Sequence, residues 1–308
     1  VIVNWSRRQN ARDAAIYLQQ HRVPATEQAT EIDILDDPQL AFREYLEDVP
    51  VGRAVAQMPG NPIRGADNRG MTKPPQTPRP NANVPDPNMP DTNVKVAVVP
   101  KRSVGAAVSQ APSLSQLPLA GPGAPVSVLD ISLWWAGPMA SRILAELGAR
   151  VIRVERPGQR VTEPNWQEFI NQKMNRKKLG IAVDLNRAQG REIVRGLAEK
   201  ADVVIENYRP GTLAKFGLDH QALAEVNARL VYVSLSGFGA EGPKSRWGSY
   251  GTLIEAASSI QARTKHHDGV ATRLGHPLPD GIGGIAGALA ALRGLRQRDE
   301  TGVGVRFD

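Results

Sequence analysis

One aspartate stands where the chain would hold its carboxylate as an anion. Asp280 lies in the segment 275–289, directly before the glycine-rich run 281–287. This pattern predicts an apolar helix that begins at the glycines, where small residues leave room for a ligand or another backbone. The positive end of the helix dipole and the free amides would keep the carboxylate ionised. An N-cap aspartate on a tightly packed helix would give the same pattern, so both interpretations stay open.

Three further turns carry residues that packing alone does not require. Residues 134–138 place Gly137 and Pro138 before a predicted helix, a geometry that suits phosphate, although Gly-Pro also begins many helices that bind nothing. Residues 175–178 and 206–211 place amide and cationic donors beside predicted strands. A solvated loop would have the same composition as either of these two turns.

Alternating strands and helices must position these turns. Apolar runs predict strands at 126–130, 151–154, 181–185, 203–205 and 230–235, with helices at 138–147, 187–200 and 221–227. The sequence therefore predicts the α/β class, with a Rossmann-like parallel sheet and flanking helices. In such folds ligands bind at the carboxyl ends of the strands.

The chain divides into three unequal segments. Residues 66–125 hold half of the 24 prolines and few large apolar residues, which predicts an extended linker. Residues 1–65 contain short helical patterns, one of them beginning near Pro38, but are too few for a core of their own. We therefore expect residues 1–65 to pack against the α/β part, residues 126–308.

Composition narrows the function classes. The chain has no cysteine, five histidines and no HExxH spacing, so neither a thiol nucleophile nor a metal site is predicted. No apolar run approaches the roughly 20 residues that span a bilayer, and no secretory pattern opens the sequence, so we expect a cytoplasmic protein without membrane contact. The net charge of +7 is dispersed, which favours a small polyanion such as a nucleotide over nucleic acid.

Taken together, the ordered motifs of residues 126–308 resemble the family III CoA-transferases. This family includes formyl-CoA and carnitine-CoA transferases and a branch of α-methylacyl-CoA racemases. The motifs are Val128-Leu129-Asp130, Ala136-Gly137-Pro138, residues 147–155, Asn175-Arg176-x-Lys178, residues 182–185, residues 206–211, residues 236–239 and Thr301-Gly302-x-Gly304.

Residues 1–65 resemble the opposite end of the same family. Trp5, residues 23–25 and residues 36–43 look like the C-terminal segment that returns to complete the large domain. A C-terminal pattern followed by an N-terminal one is the order expected across the junction of two tandem copies. The resemblance thus implies a fragment in which residues 1–65 end a first copy and residues 126–308 begin a second, with the small domain of each copy missing from the sequence.

Carried over by position, the resemblance makes Asp280 the catalytic aspartate, which would form aspartyl anhydride and thioester intermediates. Amides of the glycine-rich turn would stabilise the oxyanions. The implied CoA contacts are Trp135, Ala136, Arg156, Lys178, Asn207, Tyr208, Arg209 and Lys215. Coenzyme A is then a substrate and no permanently bound cofactor is implied. The implied partners are an acyl-CoA and a carboxylate, in an interlocked dimer or a pseudo-dimer of fused copies.

Two other functions stay open. A racemase needs a second acid/base, and that branch places histidine where Tyr250 aligns here. His266 and His267 fall in a polar loop, where a solvated role is ordinary. A non-catalytic CoA-binding half of a fused protein is also open, because fusion permits one copy to lose activity, although Asp280 is retained.

Overall fold

Four short helices and a hairpin come first in the computed structural model, which describes residues 2–51, 54–60, 63, 125–158 and 172–308. These elements are α1 (Ile2–Ser6), α2 (Ala11–Gln20), α3 (Glu31–Leu35), α4 (Pro38–Phe42) and the antiparallel strands β1 (Leu46–Val51) and β2 (Ala54–Pro59). The predicted helix start near Pro38 is confirmed. Asp37 caps α4, and its side chain accepts the N–H groups of Gln39 and Leu40. The linker expected at 66–125 lies, apart from Pro125, outside the described residues.

A six-stranded parallel sheet forms the centre of the α/β part. Its strands are β3 (Ser127–Asp130), β4 (Arg150–Glu155), β5 (Leu179–Ala182), β6 (Val203–Glu206), β7 (Val231–Ser234) and β8 (Val305–Phe307), in the spatial order β5-β4-β3-β6-β7-β8. This is the order of a doubly wound Rossmann sheet, whose strand sequence reverses between β3 and β6. The predicted fold class is confirmed.

Helices cover both faces of the sheet. They are α5 (Ala136–Glu146), α6 (Ala188–Glu199), α7 (His220–Ala224), α8 (Gly251–Ala257), α9 (Ile260–Arg263) and α10 (Leu278–Thr301), with a 3₁₀ helix at Leu213–Phe216. Alternate residues of each strand point to opposite faces. Ile205 packs in the core beneath α5 and α10, whereas Val204 packs in the core beneath α6 and α7.

The predicted apolar helix is present as α10, but it begins at Leu278, so the glycine-rich run lies within the helix and not in a turn before it. Gly284 lies so close to α5 that an added Cβ would stand 2.8 Å from the Cβ of Met139. At Gly287 an added Cβ would stand 3.1 Å from the Cβ of Ala140. Close helix packing thus outweighs the poor intrinsic helix propensity of glycine. The amides expected to stabilise oxyanions are helical, and the N–H of Gly281 already donates to the Pro277 carbonyl.

The N-terminal segment, described over residues 2–51 and 54–60, packs on residues 236–263 of the α/β part through its residues 19–43. Gln39 is 3 % exposed. Its Nε2 donates to the carbonyl oxygens of Phe238 and Glu241 at 2.5 and 2.7 Å, and its Oε1 accepts the N–H of Lys244 at 2.8 Å. Both the nitrogen and the oxygen of the Gln39 amide are therefore hydrogen-bonded to the main chain of this loop.

Three further contacts extend this docking. The amide of Gln19 exchanges two hydrogen bonds of 2.9 Å with the backbone of Gly248, and the N–H of Ala29 donates to the Ala256 carbonyl in α8. Arg43 pairs with Asp308 at 2.7 Å, just after β8. The N-terminal segment therefore contacts the chain both before residues 248–251, at residues 238–244, and after them, at Ala256 in α8.

No helix among the described residues combines the length and the apolar character needed to cross a membrane.

We expect Gln39→Ala to lower the free energy of unfolding by about 1–3 kcal/mol, because it leaves buried main-chain groups without partners. Urea denaturation measures this loss, and Gln28→Ala, at an exposed position of the same segment, is the control. Amide hydrogen exchange should accelerate within residues 236–250. Unchanged exchange there would show that Gln39 does not hold this loop.

Candidate active site at the carboxyl edge of the sheet

The reversal of strand order between β3 and β6 creates a crevice at the carboxyl edge of the sheet. Asn207, which follows β6, spans this crevice. Its Oδ1 accepts the N–H of Leu133 and its Nδ2 donates to the Leu133 carbonyl, both at 2.7 Å. Asn207 therefore fixes the loop that leads from β3 to Trp135 and α5.

Asp130, the last residue of β3, forms a fully buried polar centre beneath this loop. Its carboxylate accepts hydrogen bonds from the N–H and the hydroxyl of Ser132, from the hydroxyl of Ser141 at 2.6 Å and from Nζ of Lys178 at 2.8 Å. Burial alone would raise the pKa of Asp130, but Lys178 and the two hydroxyls hold it below its ordinary value.

Lys178, which the resemblance implies as a CoA contact, makes buried contacts within the protein. Its side chain is only 2 % exposed. Besides Asp130, its ammonium group donates to the Pro138 carbonyl at 2.8 Å and to Oδ1 of Asn175 at 2.9 Å. Three acceptors use all three N–H bonds, so Lys178 ties β5 to β3 and α5 and leaves no donor for a phosphate.

The other cationic residues expected at CoA lie in more open positions. Arg156 is exposed directly after β4, and its charge acts on Tyr208, whose pKa is raised by burial and partly lowered again by Arg156. Lys215 is exposed on the 3₁₀ helix. Arg209 is exposed too, but its guanidinium lies against Gly248, where an added Cβ would stand 2.1 Å from Nη2.

A cavity of about 400 Å³ lies beside Arg209, lined also by Glu206, Tyr232 and Arg306. Tyr232 belongs to the core beneath α6 and α7, so this cavity lies on the face opposite α10. Glu206 already accepts the Ser234 hydroxyl at 2.5 Å and the N–H of Tyr208 at 2.8 Å. The cavity is therefore separate from the surroundings of Asp280.

Asp280 lies in the first turn of α10, as its third residue and not as its N-cap. Its carboxylate presses against Gly251, the first residue of α8, where an added Cβ would stand 2.1 Å from Oδ2. The Gly251 position therefore requires glycine while Asp280 holds this rotamer. The N–H of Gly251 also hydrogen-bonds to the carboxylate.

The surroundings of Asp280 oppose the ionised state that the helix terminus was expected to favour. Burial raises its pKa, the negative charge of Glu255 raises it further, and the hydrogen bond from Gly251 opposes both effects.

The start of α10 and the segment before it also meet residues that the resemblance implies as CoA contacts. The ring of His276 packs edge-on against Trp135 with centroids 5.6 Å apart, and an added Cβ on Gly283 would stand 3.6 Å from the Cβ of Ala136. Asn207 reaches the start of α5, since its Cγ would stand 3.2 Å from a Cβ built on Gly137. The structure therefore brings Asp280, Trp135, Ala136 and Asn207 to one end of the crevice.

Sequence reasoning missed three residues of this site: Gly251, Glu255 and His276. Glu255 is fully buried in α8, one turn after Gly251. Gly251 and Glu255 are four residues apart and therefore lie on one helix face, which could have been read from the sequence. The sequence did not show that Asp280 would face them.

Tyr250 is 61 % exposed, and His266 and His267 are exposed in the predicted loop. Among the described residues no group of three acidic, histidine or cysteine side chains is placed to hold a metal ion.

Comparisons with known proteins agree with this architecture. Residues 124–308 match the profile of CoA-transferase family III. An acetyl-CoA:oxalate CoA-transferase of Acetobacter aceti is 34 % identical over 61 % of this chain and 50 % of its own length. A succinyl-CoA:glutarate CoA-transferase of Mus musculus is 36 % identical over 63 % of this chain and 45 % of its own length.

A solved structure is similar as well. A CAIB/BAIF family protein from Brucella suis superposes with a TM-score of 0.55 at 34 % identity, over 59 % of this chain and 50 % of that one. The chain thus spans about half the length of the curated relatives it matches.

We expect Lys178→Met to lower the free energy of unfolding by about 3–5 kcal/mol, because it leaves the buried Asp130 carboxylate without its cation. Chemical denaturation measures the change, with the exposed Lys173→Met as the control for removing one lysine. A Lys178→Met chain as stable as the control would contradict the structural role assigned to this lysine.

Proposed function

The chain belongs to CoA-transferase family III, and we propose that it moves CoA from an acyl-CoA donor to a carboxylic acid acceptor, with Asp280 as the nucleophile. The observation that carries the proposal is the placement of Asp280. Its carboxylate lies in the first turn of α10 against Gly251, beside the loop that ends at Trp135. The transferases of oxalate and glutarate named above support this reaction class.

The chemistry follows from a carboxylate and a thioester. A carboxylate oxygen of Asp280 attacks the acyl carbon, the carbon–sulfur bond breaks, and a mixed anhydride and CoA thiolate form. The thiolate attacks the aspartyl carbonyl, which releases the donor acid and leaves an aspartyl-CoA thioester. The acceptor carboxylate then displaces the thiolate to form a second anhydride, and attack of the thiolate on the acceptor carbonyl yields the new acyl-CoA and restores Asp280. No proton, oxidant or reductant is consumed.

The raised pKa of Asp280 suits this role. A carboxylate destabilised by burial and by Glu255 is a stronger nucleophile than a fully solvated one. Only the ionised form attacks, so transfer declines as the pH falls through a pKa above the ordinary carboxyl value. Gly251 provides a single hydrogen bond and leaves the rest of the carboxylate free for the acyl carbon.

We place CoA along the crevice, with its thioester near Trp135 and Ala136 and its phosphates near Arg156 and Lys215. Tyr208 and Arg209 lie between these ends and suit the adenine and ribose, because an aromatic ring and a guanidinium both stack on bases. Asn207 and Lys178 serve indirectly in this arrangement: Asn207 holds the loop at Trp135, and Lys178 holds β5 against β3.

We also propose that residues 1–65 are the C-terminal segment of a first transferase copy and that residues 126–308 are the N-terminal part of a second. The order of the motifs supports this, as does the docking of residues 2–60 beside α8. The short span relative to the relatives fits the same interpretation. An interlocked dimer or a pseudo-dimer of fused copies would complete the acyl pocket.

We expect hydroxylamine added during turnover to convert Asp280 to a hydroxamate, because an anhydride or thioester at this side chain is open to amine attack. Mass spectrometry of the peptide that contains Asp280 detects the product, and the same mixture without acyl-CoA is the control. Asp280→Asn should abolish transfer while CoA binding persists. Exchange of an α-proton of a 2-methylacyl-CoA with solvent deuterium, without any CoA transfer, would replace this proposal with a racemase.

We also expect Gly251→Ala to lose CoA transfer, since the new Cβ would displace the Asp280 carboxylate from its position. Gly275→Ala is the matched control, because no atom lies within 4 Å of a Cβ built there. Full transfer by Gly251→Ala would show that the observed rotamer of Asp280 is not the reactive one.

We expect Arg156→Ala to weaken CoA binding about tenfold, which is ~1.4 kcal/mol, and to make it less sensitive to salt. Arg150→Ala is the matched control: it also removes one exposed arginine, but at the amino end of β4, whereas Arg156 directly follows the carboxyl end of this strand. Isothermal titration with CoA at two salt concentrations measures both effects. Equal affinities in the two variants would rule out this placement of the phosphates.

A further inference from the structure

Glu255 is a buried acid whose charge acts on the Asp280 carboxylate. Its side chain is 0 % exposed. Its Oε2 accepts the N–H of Leu274 at 3.3 Å, whereas its Oε1 is buried without a hydrogen-bond partner among the described residues. A buried carboxyl oxygen without a partner is costly, so its retention calls for a physical role.

The position of Glu255 relates it directly to Asp280. Gly251 and Glu255 are four residues apart in α8 and share one helix face. Gly251 touches the Asp280 carboxylate, and Glu255 bonds to Leu274, in the segment that leads into α10. Two carboxyl groups therefore share the partly closed space between α8 and the start of α10, and each receives one main-chain hydrogen bond.

Among the described residues, no cation forms an ion pair with Glu255 or Asp280. Arg273 and His276 approach from the segment before α10 and are both exposed. Arg263, on α9, pairs with Glu31 at 2.5 Å, and Glu27 of the N-terminal segment pairs with Arg12 at 2.9 Å. The first turn of α5, residues 136–139, carries no ionisable side chain. The repulsion between Glu255 and Asp280 is therefore not neutralised by a neighbour.

We propose that Glu255 is a positioning residue for the transfer reaction, acting through Asp280 by making its carboxylate less stable than the neutral acyl-aspartyl intermediates. This inference rests on the proposed function. When Asp280 attacks the thioester, one negative charge moves from its carboxylate to the CoA sulfur and away from Glu255. The repulsion is relieved in the anhydride and the aspartyl thioester, and it returns when the product leaves.

The consequence is a measurable shift in two quantities. Glu255→Gln keeps the shape of the side chain and an oxygen for the Leu274 N–H, but removes the charge. The carboxylate of Asp280 then becomes easier to form, so the acid limb of kcat/KM moves to lower pH. The fraction of chain trapped by hydroxylamine at steady state falls, because the resting carboxylate is no longer destabilised relative to the intermediates.

The test measures Asp280 with and without turnover. Carbodiimide labels protonated carboxyl groups, so mass spectrometry of the Asp280 peptide across a pH series gives the ionisation midpoint without substrate. We expect Glu255→Gln to lower this midpoint, Glu255→Asp to retain the raised value in large part, and the exposed Glu192→Gln to leave it unchanged. Identical midpoints for the natural chain and Glu255→Gln would overturn the inference.

The two proposals fail in different ways. If the natural chain transfers no CoA but the labelling midpoint shifts in Glu255→Gln, the coupling stands and the transferase assignment fails. If transfer occurs and neither the midpoint nor the acid limb moves, the assignment stands and the role of Glu255 fails. If Glu255→Gln does not fold, the labelling of the natural chain still tests the inference. A pH midpoint of Asp280 labelling at the ordinary carboxyl value would contradict it.

Discussion

The buried contact between Asp130 and Lys178 is the interaction on which the arrangement of the crevice depends. A carboxylate at the end of a central strand is expensive to desolvate unless it is paired and hydrogen-bonded. Here one ammonium group and two hydroxyls satisfy it, and each comes from a different part of the chain: the residue directly before β5, the loop after β3, and α5. The edge strand, the central strand and the covering helix are therefore fixed to one another at the place where Trp135 enters the site.

Close helix packing then brings the nucleophile to this edge. The glycines of α10 remove the side chains that would separate it from α5, so the start of α10 meets Trp135 and Ala136 directly. On the other side, Gly251 removes the Cβ that would occupy the position of the Asp280 carboxylate. The location of Asp280 thus depends on the glycines of α10 and α8, which have no side chain, as well as on the hydrogen bond that its carboxylate accepts.

The fold was more predictable from sequence than the details of the site. The strands around Val204 and Val233 were correctly predicted because central parallel strands are continuously apolar. Strand β5 was placed two residues late, because this edge strand exposes Leu179 and lacks the apolar run that marks the others. Lys178 looked like a phosphate ligand because its charge is visible in the sequence, whereas its partner Asp130 is 48 positions away. Glu255 was not predicted as a site residue, because its burial and its unpaired oxygen are visible only in the folded chain.

The way in which Gln39 holds residues 238–244 has a consequence for how this contact evolves. The amide recognises two carbonyl oxygens and one N–H, atoms that every residue except proline provides. Side chains along the loop are therefore free to drift without loss of the contact, and a substitution there needs no compensating change at Gln39. Correlated substitutions between Gln39 and residues 238–244 would therefore not reveal this contact. The contact nevertheless connects the N-terminal segment to the part of the chain that leads to Gly251. The constraint falls instead on the backbone path of the loop, so insertions and deletions within it should be selected against more strongly than substitutions.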